Sequence, residues 1–204
     1  MNRADTLGSL WQAWAAQGEA LTAKQWATPT RLPPWDVRAL FAHASAWPRW
    51  LAYIVTQERE TPPTHPTAAA LLLDFNAPDG LATRMRQSTA DKAVDDGRKH
   101  TTEQMIAACA EVGPQALDEA RALGDVVVDY LGLARLRLDE VLSIGILEAT
   151  VHLLDLQRAL GVRPSAPPGG LALTASVLTA MADPVDLIEA ATGRTGAEVF
   201  PVLR

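Results

Sequence analysis

Between residues 137 and 160 the chain reads RLDEVLSIGILEATVHLLDLQRAL, and no other segment limits its choice of fold as strongly. Leu138, Val141, Leu142, Ile144, Ile146, Leu147, Val151, Leu153, Leu154 and Leu156 fall on nearly every side of the helix that this pattern predicts. A helix apolar all round has to be covered all round, which places it in the middle of a bundle. Gly161 follows where a left-handed residue ends a helix.

Three other long helices are expected to do the covering. The first, about 4–26, carries Leu7, Leu10, Trp11, Trp14 and Leu21 at helical spacing and stops before Thr28-Pro29-Thr30. A second opens with Pro34 in its first turn and Asp36 near the positive helix end. Its stripe runs through Val37, Leu40, Phe41, Ala44, Trp47, Leu51, Ile54 and Val55. Pro48 predicts a kink or break near Trp47, and Pro62-Pro63 should finish the helix. Prolines and glycines punctuate residues 60–100, where 67–74 and 81–93 read as short helices. Thr101-x-x-Gln104 reads as a capping box opening a third long helix over about 101–122, with Gly113-Pro114 able to kink or split it. Residues 126–128, three valines, form a brief extended stretch, and no strand pairs are expected. RPSAPPGG at 163–170 marks a boundary before one or two short helices that reach about residue 191. The expected fold is all-α: a bundle over 1–162, then a linker and short helical extension over 163–204.

Composition narrows the function. Apolar residues make up 48% of the chain, enough for a core, and the formal net charge is −6. An acidic surface argues against nucleic acid, which needs a basic stripe, and against anionic membranes. Cys109 is the single cysteine, so neither an internal disulfide nor a cysteine-type zinc site is available. The first twenty residues lack the apolar core of a signal peptide, and no run of 18 apolar residues occurs. The expected setting is the cytoplasm.

The chemistry is concentrated in LEATVHLLDL, residues 147–156. Glu148 and His152, four apart, stack on one helix face, and Asp155 continues the stripe. Aliphatic neighbours carry these polar groups into the bundle, where an unpaired carboxylate costs several kcal/mol. A partner is required: a cation, a metal, or a donor on a facing helix. His43 on the second helix shares the core side with Leu40 and Trp47 and is the candidate. His43, Glu148 and His152 would then form a two-imidazole, one-carboxylate site with open positions. Zinc fits it, and iron or nickel would too. Asp155 is better placed to orient an imidazole N–H than to be a fourth ligand. The plainer alternative is a core histidine bonded to a carbonyl beside an ordinary Glu–His helix pair.

These residues carry a resemblance. Trp35 and His43 in PPWDVRALFAH, paired with the late Glu148-x-x-x-His152-x-x-Asp155 helix, resemble the mycothiol-dependent maleylpyruvate isomerase family of DinB-like four-helix bundles. Trp26 with Thr28-Pro29-Thr30, Leu160-Gly161, and the tail DLIEAATGR at 186–194 are similar as well. The resemblance implies metal ligands at His43, Glu148 and His152, the three that burial selects. It also implies mycothiol as a co-substrate. Isomerases similar over the bundle carry a fuller C-terminal α/β domain, whereas about 40 residues follow Arg163 here.

The remaining candidates have blander readings. All six tryptophans lie in the first fifty residues and should pack helices one and two together, with Trp47 and Trp50 placed to line a pocket too. Cys109 reads as a small core residue, and His65 and His100 as solvated loop residues. Arg84, Arg86, Arg98 and Lys99 are within the reach of an anionic substrate or form a solvated face, and Arg194 could fold back to the pocket. The expected activity is a divalent-metal-dependent thiol S-transferase or isomerase acting on a small electrophile. Its alternatives are a non-catalytic metal- or ligand-binding protein and a hydrolase using the same ligands. The partners are a small thiol and the electrophile, with a homodimer as the assembly to test.

Overall fold

A computed structural model describes residues 2–194 of the chain, and in it helix starts follow the side chains able to cap them. Asn2 accepts from the Asp5 N–H to open α1 (Arg3–Ala20), and Thr22 with Gln25 forms a capping box for the single turn of α2 (Ala23–Trp26). The first expected helix is therefore two. Asp36 is the cap of α3 (Val37–Ala44), accepting from the Ala39 N–H at 2.8 Å, so Pro34 lies in the loop before the helix and not in its first turn. The break near Trp47 falls at Ser45, and α4 (Ala46–Ile54) takes Pro48 in its own first turn, where its missing N–H removes no hydrogen bond.

The chain leaves helix after Ile54, well before Pro62-Pro63, because residues 57–59 pair along a strand: Asp129 N–H donates to Gln57 and Arg59 N–H to Val127. That strand corrects the expectation of no strand pairs. Strands β1 (Val127–Tyr130) and β2 (Ala134–Arg137) form an antiparallel hairpin. Its turn has Leu131 and Gly132 at φ 57° and 73°, the left-handed conformations a tight hairpin needs. The usual sequence sign is Asn-Gly or Asp-Gly; here the neighbouring Asp129 carboxylate accepts the Gly132 N–H instead.

Helix α5 (Ala68–Phe75) is capped by Thr67, and α6 (Leu81–Lys99) runs six residues beyond the expected end. Gly97 is a contact point in it: a Cβ there would sit 3.5 Å from the Ala39 backbone, so α6 lies close against α3. Arg38 fastens the pair by donating to the carbonyls of Gly97 and His100 at the end of α6. The capping box at Thr101 opens α7 (Thr102–Ala107) as expected. A π-helical turn at Ala108–Val112 then leads into α8 (Gly113–Leu123), splitting the third long helix where Gly113 meets the Trp11 ring.

Helix α9 (Leu138–Ala159) is buried along most of its length, with Gly161 at φ 69° after its end. It packs against α1, α3 and also α10 (Pro168–Met181), which α11 (Pro184–Ala191) follows. The architecture is a mostly helical, DinB-like bundle with one small hairpin. Among the described residues no single helix is long and apolar enough to cross a membrane.

Candidate metal centre

His43 sits in the last turn of α3, and Glu148 and His152 lie one turn apart on α9. Two fastenings set this register. Arg38 ties α3 to α6, and the Trp14 indole N–H donates to the Ala149 carbonyl at 2.9 Å, pinning the turn of α9 that carries Glu148. The consequence is a convergence. The Nε2 atoms of His43 and His152 each lie 3.5 Å from the same carboxylate oxygen, Glu148 Oε2. One ligand atom from each residue falls within a common 4.8 Å, a spacing into which a single metal ion fits.

The other face of His152 is committed. Its Nδ1 meets Asp155 Oδ2 at 3.0 Å, which leaves Nε2 facing the cluster. Asp155 is 2% exposed, and its second oxygen accepts from the Arg31 guanidinium at 2.6 Å. Arg31 is 59% exposed at its side chain, so this pair contributes about 1 kcal/mol or less. Its structural effect is orientation, because it fixes the carboxylate that fixes the imidazole. Trp35 packs against the cluster at a tilt, with its ring centroid 5.0 Å from that of His43 and 6.0 Å from that of His152. Its indole N–H is anchored on the Ala90 carbonyl at 3.0 Å.

The electrostatics favour a cation. Burial alone would raise the Glu148 carboxyl, but hydrogen bonds and charge from His152 and His43 outweigh it and hold the group well below the usual carboxylate range. Burial alone would lower His152, yet Asp155 and Glu148 push it up to about 9. Burial likewise opposes ionisation of Asp155, and His152 and Arg31 reverse it, keeping that carboxyl low. Glu148 and Asp155 thus draw positive charge to His152, charge that a metal ion held at the same point would supply in place of the proton.

Two cavities meet at this cluster. One of about 670 Å³ has the triad on one wall and Trp47, Trp50, Phe75, Tyr130, Leu131 and Leu133 among the others. Another of about 500 Å³ is bordered by Arg31, Trp35, Arg86 and Thr89. Trp47 and Trp50 thus line the pocket as well as packing the core. Arg31 and the contact of Trp35 with both imidazoles were not foreseeable: Arg31 is a loop residue 124 positions from its partner, with no periodic signal.

Other candidates fall elsewhere. Arg86 alone of the four basic residues considered borders the cluster's cavities; Arg84 bonds the Asp79 carbonyl, and Arg98 reaches Asp95 at 3.6 Å. His65 is docked and not free, with Nε2 3.5 Å from Asp74 and Nδ1 2.9 Å from the Thr64 hydroxyl. His100 is half-buried, since its carbonyl takes a hydrogen bond from Arg38. The Arg194 backbone N–H donates to Glu189 and its guanidinium to Thr192, so it closes α11 and does not return to the pocket. Cys109 is 1% exposed, and burial pushes its thiol up to about 12.

The model of one known family, the mycothiol maleylpyruvate isomerase N-terminal domain, matches residues 7–157, a span that includes every residue of the cluster. No curated protein and no solved structure gives a match.

Proposed function

The chain belongs to the family of the mycothiol maleylpyruvate isomerase N-terminal domain, and from that premise we propose that it is a metal-dependent enzyme joining a small thiol to an electrophilic carbon. The observation that carries the reading is the convergence of two imidazole Nε2 atoms and a carboxylate oxygen at the meeting point of two cavities. His43, Glu148 and His152 would hold one divalent ion, with zinc as the proposed metal and a donor set that also suits iron or nickel. When bound, such an ion supplies the positive charge that keeps a small thiol ionised near neutral pH.

The chain's own residues do the rest. Asp155 accepts the Nδ1 proton of His152 and keeps Nε2 available, and Arg31 holds Asp155 in place. Cys109, buried and protonated at neutral pH, is no nucleophile, so the attacking sulfur comes from outside, with mycothiol as the proposed co-substrate. In a transfer the carbon–sulfur bond forms as the carbon's bond to a leaving anion breaks, or as the C=C π pair moves onto an adjacent carbonyl and the resulting enolate takes a proton, giving a thioether. In an isomerisation the enolate is not protonated: the former double bond rotates as a single bond, the electron pair returns from the carbonyl to re-form it, and the carbon–sulfur bond breaks to release the thiolate.

The test is turnover of an electrophile panel with and without mycothiol, in native, metal-stripped and Cys109→Ala protein. Turnover should require the thiol, survive Cys109→Ala, and collapse on chelation. Thiol-independent hydrolysis would replace this reading with a hydrolase on the same ligands. Inactivity with every thiol and electrophile would replace it with a non-catalytic binding protein.

A further inference from the structure

The larger cavity has a composition that the metal centre does not explain. Beyond the triad its walls are mostly apolar, with Trp47, Trp50, Phe75, Leu131 and Leu133 among them, and Tyr130, Asn76 and Thr89 are polar members. Arg31 is the one arginine or lysine on its wall among the described residues, and its guanidinium is already bound to Asp155. A carboxylate placed in this chamber would lose water and gain no free positive side chain; a metal ion at the triad would be the one positive charge within reach, and in the proposed reaction the thiol holds its open position. Arg86 borders the other cavity and is not on this chamber's wall.

The apolar wall continues onto the hairpin. Leu131, whose φ of 57° the tight turn requires, lines the chamber. Leu133, on the same hairpin, is 49% exposed and stands on the wall as well. Tyr130 adds one polar atom. The residue is buried, and among the described residues nothing hydrogen-bonds its hydroxyl, leaving a neutral donor on a mostly apolar wall.

We propose that this chamber selects an uncharged electrophile: an aromatic or aliphatic group seated among Trp47, Trp50, Leu131 and Leu133, with a carbonyl oxygen accepting from the Tyr130 hydroxyl. The substrate class is an apolar α,β-unsaturated ketone, aldehyde or ester, as opposed to a dicarboxylate. This rests on the reading of the triad as the reaction centre, and it assigns the Tyr130 hydroxyl to specificity and substrate positioning.

The experiment is calorimetric binding to the metal-stripped protein, without thiol, so that no ion offers a carboxylate a ligand position, of two unreactive ketones that differ in their tails. One is 4-phenyl-2-butanone, with an apolar tail; the other is levulinate, with a carboxylate. The phenyl ketone should bind at least tenfold more tightly, because a phenyl group gains from burial what a carboxylate loses. Leu133→Arg should erase or reverse the order, and Trp50→Ala should weaken the phenyl ketone severalfold. Tyr130→Phe should weaken the phenyl ketone roughly three- to tenfold while leaving ethylbenzene unchanged, the signature of one lost hydrogen bond. Circular dichroism of each variant confirms that it is folded. Equal or tighter binding of levulinate by the native protein, or a preference indifferent to Leu133→Arg, would overturn the proposal. Because no turnover is involved, an inactive enzyme that still prefers the phenyl ketone would count against the thiol reading and not against the chamber. Active thiol chemistry with a levulinate preference would do the opposite.

Discussion

The two ends of α9 bear clusters of charge with opposite character. At its start, Arg3 reaches Asp139 at 2.7 Å, Glu140 at 3.4 Å and the Ser143 hydroxyl at 2.7 Å, while Glu140 also accepts the Ala68 N–H. Donors and acceptors there satisfy one another and clip α1 and α5 to α9. Toward the other end, Glu148, His152 and Asp155 meet His43 and Arg31. There the guanidinium is spent on Asp155, and two imidazole nitrogens and a carboxylate oxygen face one point. A cluster of charge by itself therefore marks no site in this protein. What separates a receptor from a fastener is an excess of acceptors converging where a cavity opens.

The largest expected effect breaks the receptor and spares the fastener. His152→Ala should abolish stoichiometric metal, measured by elemental mass spectrometry, while Arg3→Ala keeps full occupancy. Equal metal loss in both would show that the two clusters do not differ in kind. Asp155→Asn comes next: affinity in a chelator competition should fall roughly 10- to 100-fold with the fold intact. Complete loss, matching His152→Ala, would make Asp155 itself a ligand.

Arg3→Ala should cost about 1 kcal/mol, since its side chain is 30% exposed, and lower the melting temperature by roughly 2–4 °C with no change in metal content. A metal-dependent shift in that variant would tie the two ends together. The smallest effect concerns a charge that never forms. Burial raises the Cys109 thiol to about 12, above its ordinary value of 9.0, so the neutral form is favoured in the folded state. Its contribution to stability is complete below pH 9 and drains away as pH rises toward 12. At pH 8 a thiol reagent should label native protein far more slowly than denatured protein; equal rates would place Cys109 at the surface.

The sequence made some of this plain because periodicity and burial act locally. A helix without a polar side has to be central, so α9 and its three inward polar residues could be read directly. Thr101 and Gln104 announced α7 through a contact only three residues long. The hairpin was hidden because Leu131-Gly132 lacks the usual turn residues and draws its support from Asp129. Gly97 looked like an interruption, yet it is the point at which α6 touches α3, a property of the neighbour and not of the segment. His43 could be paired with α9 from its core-facing position, whereas the Arg31–Asp155 link depends on where a proline-flanked loop comes to rest.

The central claim is that His43, Glu148 and His152 hold one divalent ion with a position left for an external thiol. X-ray absorption at the edge of the metal that copurifies tests it directly, recorded on native protein before and after adding mycothiol. Two imidazole nitrogens and oxygen are expected around the ion at rest, no sulfur, and one sulfur scatterer bound to it once the thiol is present. Sulfur at rest would contradict it, and so would fewer than two imidazoles or a coordination sphere unchanged by thiol.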